Sequence, residues 1–115
     1  MLSPDNIAAQ IMDLRLLLND LSRSSDLSRF RQLILPLEDY DRRRGSDLLR
    51  TLSVYFDAGA NATKTADRLF LHRNSLLYRL ERIQELTGLD LKQPDARLAL
   101  QLGLLAIGRG EKYEA

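Results

Sequence analysis

The sequence contains no cysteine and no tryptophan, and only one histidine, His72. The missing cysteine removes disulfides, thiolate metal sites and thiol nucleophiles together, and it suits a reducing, cytoplasmic setting. One histidine leaves no imidazole cluster for a metal. No apolar run approaches the roughly eighteen residues that a membrane-crossing helix needs. The start of the chain carries no basic stretch followed by a short apolar block, so no secretory signal is read there. Charge of one sign is scarce too: 17 basic against 16 acidic side chains give a formal net charge of +1, which excludes a highly charged tail. Titratable residues are dispersed along the chain and form no catalytic constellation, so the sequence predicts no enzyme, catalytic residue, metal or cofactor. What is present suits folding: 115 residues, 44% apolar and 29% charged, are enough for one domain, or one domain with an arm, and are unlike disordered or collagen-like chains.

Apolar spacing is helical nearly throughout, and no alternating strand or Asn-Gly hairpin signal stands out. Ser3-Pro4-Asp5 combines a side-chain cap, a residue preset for the first turn and a negative charge at the positive end of a helix dipole. From there Ile7, Ile11, Leu14, Leu18 and Leu21 follow a heptad seam widened by Leu16 and Leu17. Two heptads fit either a helix lying on its own domain or self-association. Residues 22–28 read as a turn. The apolar segment 30–37 is expected to break at Pro36, and the charged run 38–45, with Arg42-Arg43-Arg44, reads as a solvated helix end, the alternative being contact with phosphate.

Gly45-Ser46-Asp47 restarts a helix carrying Leu48, Leu52, Tyr55 and Phe56 on one face, stopped by Gly59. Asn61 caps a short helix with Ala62, Ala66 and Leu69 inward. Phe70-Leu71-His72 then leads into a longer helix over 73–87, closed by Gly88. Leu89 and Leu91 are expected to return to the core. A last helix opens at Pro94 and is expected to end near Ile107, closed by Gly108 and Gly110.

A short helix, a tight turn and a longer helix make 61–87 a candidate helix-turn-helix. Lys64, Arg68, Arg73, Arg79 and Arg82 outnumber Asp67 and Glu81 there, so basic charge gathers on this element. Projected as a helix, 73–87 places Leu76, Leu80, Ile83 and Thr87 on a core stripe. Asn74, Tyr78, Glu81 and Glu85 lie opposite, with Ser75 and Arg82 on the shoulder and Arg79 nearer the core edge. Arg73 can pair with a guanine edge and Asn74 with adenine. Ser75 and Tyr78 can bond phosphates or bases, while Lys64, Arg79 and Arg82 supply sequence-blind attraction. Each also has a plainer role: His72 and Asn61 as helix caps, Tyr78 packing its ring on a neighbour, Arg79 pairing with Glu38 or another carboxylate.

Spacing alone is weak, but the string is specific. The tract 61–88, above all His72-Arg73-Asn74-Ser75-Leu76, Tyr78-Arg79-Leu80 and Arg82-Ile83, closely resembles the carboxy-terminal helix-turn-helix domain of the PucR/CdaR family of bacterial transcription regulators. Leu49-Arg50-Thr51-Leu52 and Thr87-Gly88-Leu89-Asp90-Leu91 share the likeness, which runs over 37–107. Ser75 stands where Thr is common, and Leu77 where a basic or polar residue is frequent. The hairpin is also similar to that of the Fis nucleoid protein. The resemblance implies an all-α helical bundle with a Fis-like helix-turn-helix at 45–115 and an N-terminal helical arm at 1–44. It implies binding of double-stranded DNA through Asn61, Thr63, Lys64, His72, Arg73, Ser75 and Tyr78, to which the side-chain chemistry of the projected helix adds Asn74, Arg79 and Arg82. Such a module usually ends a longer regulator with an upstream effector-sensing part, which the first 45 residues are too short to hold. The alternative from the residues alone is a helical interaction or dimerisation module without direct DNA binding.

In the last helix, Leu98, Leu102 and Leu105 mark one face and Leu100, Leu104 and Ile107 another. A helix apolar on both sides is covered twice. The second cover is either another copy, giving a homodimer through this or the N-terminal helix, or the chain itself around a central helix.

Overall fold

The computed structural model describes residues 14–114; for Arg15 and 108–114 it describes the backbone alone. The expected start at Ser3-Pro4-Asp5, with Ile7 and Ile11, lies outside the described residues. Among these the protein has six α-helices, one short 3-10 turn and no strand. In chain order they are α1 (Leu14–Ser22), the 3-10 turn (Ser25–Leu27), α2 (Ser28–Arg44), α3 (Leu48–Asp57), α4 (Ala62–Leu69), α5 (Arg73–Thr87) and α6 (Pro94–Glu114). None of the helices is long and apolar enough to cross a membrane.

Local rules place most boundaries. Ser24 caps the 3-10 turn by accepting a bond from the Asp26 N–H. Gly45 ends α2 in the left-handed conformation, φ 62°, which glycine adopts without a Cβ penalty. Asp41 then reaches across that corner: its carboxylate accepts the Ser46 hydroxyl and the backbone N–H groups of Leu48 and Leu49. Three bonds to one side chain fix the angle between α2 and α3 and satisfy the free amino end of α3.

Two expected boundaries are corrected. Pro36 does not break the helix; α2 runs through it for 17 residues. Proline offers no N–H to the carbonyl four residues earlier, that of Gln32. Both residues lie on the solvent side, where water can serve the freed carbonyl, while Ile34 and Leu37 on the other side are fully buried. Nor do Gly108 and Gly110 close α6, which continues to Glu114. An internal glycine weakens a helix by only about 1 kcal/mol, and no proline follows to stop it.

The main core joins Ile34 and Leu37 of α2, Leu48 and Leu52 of α3, Ala66 of α4, Leu76, Leu80 and Ile83 of α5, Leu91, and Leu100 of α6. It crosses the junction at residue 44, tying α2 to the hairpin that follows. Leu89 packs against it from the side. The loop before α6 is held by the Gln84 side chain, which accepts the Leu91 N–H at 2.8 Å, and by Arg97, which donates to the Leu91 carbonyl at 2.8 Å.

Both faces of α6 are met within the chain. Leu100 is buried, with Leu104 and Ile107 packed on the main core, while Leu105 and Ala106 form a second cluster with Leu27, flanked by Phe30 and Leu102. The central-helix expectation therefore describes α6 as far as Ile107, and among the large apolar side chains described on it Leu98, 56% exposed, is left outward. Close approach to α2 depends on Gly103: a Cβ there would sit 2.5 Å from both Ile34 Cγ1 and the Phe30 carbonyl oxygen.

Candidate nucleic-acid interface

Helices α4 and α5 form the hairpin at the expected bounds. The Asn61 side chain accepts the Lys64 N–H at 2.9 Å, and the Leu71 N–H returns to the Ala66 carbonyl at 2.9 Å to close the helix. Between them Phe70 takes the left-handed conformation, φ 55°, and is 95% exposed. Ala66 is buried and Ala62 half-buried, so a small side chain lies where α4 meets the core. Thr65 is fully buried, its hydroxyl donating to the Asn61 carbonyl at 2.7 Å.

The outward side of α5 is uncovered where it begins. Asn61, Thr63, Lys64, His72, Arg73, Asn74, Ser75 and Tyr78 are all exposed. Among the described residues neither Lys64 nor Arg73 has an ion-pair partner. His72 Nδ1 accepts the Asn74 N–H at 3.1 Å, so the residue caps the helix. With Nδ1 accepting, the neutral ring carries its proton on Nε2, where it remains a donor; capping and contact with an anion are compatible.

Arg79 and Arg82 are half-buried and stand differently. Arg79 donates to the hydroxyl of buried Thr51 at 3.0 Å, which itself donates to the Asp47 carbonyl. Its bond is to a neutral group on α3 rather than to Glu38. The Arg82 guanidinium lies 5.8 Å from the Tyr40 ring centre and 5.5 Å from that of Tyr78, donates to the Tyr78 hydroxyl at 2.8 Å and approaches Glu85 at 3.5 Å. The Tyr78 hydrogen bond first, then the charge interactions with Tyr78, Glu85 and Tyr40, raise its pKa above an already high ordinary value. Its Nε is buried without a hydrogen-bond partner. Arg82 is therefore held between Tyr40, Tyr78 and Glu85.

These side chains line one wall of an open cleft of about 480 Å³. Asn74, Ser75, Tyr78, Arg79 and Arg82 of α5 form that wall; Tyr40 and the corner Gly45, Ser46, Asp47 and Leu48 form the other. Sequence reasoning missed Tyr40 and Thr51. Neither belongs to the hairpin, and no local pattern places either beside it.

A family model, the PucR C-terminal helix-turn-helix domain, matches residues 48–106. The chain is 39% identical over 79 residues to the purine catabolism regulatory protein of Bacillus subtilis, covering 69% of this chain and 15% of that protein. It is 51% identical over 57 residues to the carbohydrate diacid regulator of Escherichia coli, covering 50% and 15%. With the proline-responsive transcriptional activator PutR of B. subtilis it shares 35% over 69 residues, covering 60% and 17%. The chain thus spans less than a fifth of the length of each of these three relatives. No solved structure matches it. With an all-α bundle, a capped hairpin at 61–88 and the family match over the segment that contains it, the chain belongs to the PucR C-terminal helix-turn-helix family, a family of transcription-regulator domains and not of enzymes.

Proposed function

We propose that this chain is the sequence-reading module of a bacterial transcription regulator and binds double-stranded DNA with α5 in the major groove. Arg73 and Asn74 meet base edges. Asn61, Thr63, Lys64, His72, Ser75, Tyr78, Arg79 and Arg82 engage the phosphate backbone or flank the reading residues. The observation that carries the reading is the solvent-exposed start of α5, where His72, Arg73, Asn74 and Ser75 are all exposed and Arg73 has no ion-pair partner among the described residues. The names of the relatives, which speak of purine catabolism, carbohydrate diacids and proline, support an upstream part that responds to a metabolite. Work on chromosomal DNA places the chain in the cytoplasm.

Selection from a randomised DNA pool, run with the parent chain and with Arg73→Ala, tests this. The parent is expected to enrich one motif, and Arg73→Ala to lose the base preference at one position with a roughly 10- to 100-fold weaker affinity. Equal recovery of the same sequences by both proteins would remove α5 as the reading helix.

A second reading, self-association, has its own observation. Leu14, Leu16, Leu17, Leu18 and Leu21 of α1 are all at least 36% exposed, along the heptad seam seen in the sequence. A homodimer through α1 would carry two reading helices to two half-sites about one DNA turn apart.

A further inference from the structure

Three arginines in a row end α2, and the structure separates them. Asp39 takes Arg42 at 3.3 Å and Arg43 at 3.0 Å. The third, Arg44, has no carboxylate partner among the described residues; its guanidinium lies 5.6 Å from the Tyr40 ring centre. Tyr40 is also the ring that Arg82 faces at 5.8 Å. Arg44, Tyr40, Arg82 and Tyr78 therefore form one continuous stack of alternating cations and rings, from the end of α2 to the exposed side of α5.

Two guanidinium groups on one neutral ring leave positive charge uncompensated. The acidic groups around it are already engaged: Asp39 as above, Asp47 with Arg50 at 3.5 Å, and Asp41 by the Ser46 hydroxyl and two backbone N–H groups. Among the described residues Glu85 alone reaches the stack, at 3.5 Å from Arg82. Tyr40 and Arg82 also line the cleft between the α2–α3 corner and α5. A cation at the last turn of a helix is favoured by the macrodipole, but that holds for all three arginines; the ring contact singles out Arg44.

We propose that Arg44 is a phosphate-binding residue of the DNA interface and that Tyr40 positions it, so that one strand of the duplex runs along the cleft with α2 on its far side. This rests on the reading of α5 given above and deepens it: the clamp is built by a helix before the family segment, not by the hairpin alone. A phosphodiester supplies the anion that the stack lacks, in the sequence-independent manner of a backbone contact.

The test measures affinity of the whole chain for a pool of random-sequence duplexes across a range of salt, with folding followed by circular dichroism. Arg44→Ala is expected to weaken binding about tenfold and to make the dependence of log affinity on log salt shallower by about one, as loss of one phosphate contact does. Arg43→Ala, which removes an arginine already paired with Asp39, is expected to stay within about twofold of the parent. Tyr40→Leu is expected to follow Arg44→Ala, and Tyr40→Phe, which keeps the ring face, to follow the parent. Equal losses for Arg44→Ala and Arg43→Ala, or no loss for Arg44→Ala while Arg73→Ala still weakens binding, overturn the assignment of Arg44 and leave the reading of α5 standing. Absence of duplex binding by the parent overturns both.

Discussion

The hairpin α4–α5 and the N-terminal helix α1 are both amphipathic, and they solve the same problem in opposite ways. In the hairpin every large aliphatic of the core stripe finds a partner: Leu76 and Ile83 are fully buried and Leu80 nearly so, and the side left to solvent is mainly polar, with His72, Arg73, Asn74 and Ser75 beside the exposed Leu77. In α1 the leucines stay largely outside, Leu14 being 54% exposed. A polar face offered to solvent suits a polyanion, whereas an apolar one suits another apolar surface. The difference separates the element that we propose reads DNA from the element that we propose brings two copies together.

The comparison breaks most severely at Ile83. Ile83→Ala leaves a hole in the core that α5 shares with α2 and α3, and is expected to destabilise the fold by about 2–5 kcal/mol, read by urea unfolding. Leu18→Ala, a similar loss of aliphatic bulk on the open side of α1, is expected to change unfolding free energy by under about 0.5 kcal/mol at protein concentrations where the chain is monomeric. If α1 joins two copies, Leu14→Lys with Leu18→Lys shifts sedimentation from dimer to monomer while the helical spectrum persists. A monomeric parent would end that reading. The smallest effect is expected at the turn. Phe70 sits in a conformation that disfavours L-residues and is too exposed to gain packing, so Phe70→Gly is expected to stabilise the fold by about 1 kcal/mol or less, seen as a modest rise in Tm.

Much of the hairpin was legible before any coordinates. The Asn61 and His72 caps, the bounds of α5 and the Gly88 stop follow from contacts within four residues along the chain, and so does the division of α5 into a core stripe and an outward arc. Pro36 misled because a proline signal says nothing about which side of a helix it occupies: on the solvent side the lost hydrogen bond is replaced by water, and buried Ile34 and Leu37 hold α2 together. The sequence offers Arg79 a carboxylate or a phosphate; within the chain the Thr51 hydroxyl takes the place of the carboxylate. That choice depends on how α3 crosses α5.

By itself the sequence determined that the chain is helical, where the longer helix of the hairpin begins and ends, and which side of that helix carries arginine, because capping and three- to four-residue spacing are short-range. Tyr40–Arg44 and Tyr78–Arg82 are each four residues apart, so both pairs were implicit in one helix's geometry. Only the tertiary structure decided that the two pairs meet, that both faces of α6 up to Ile107 are covered from within the chain, and that one arginine of three is left without a carboxylate among the described residues. Those outcomes depend on the angles at which α2, α5 and α6 cross, and crossing angles are set by packing across the core rather than by neighbours along the chain.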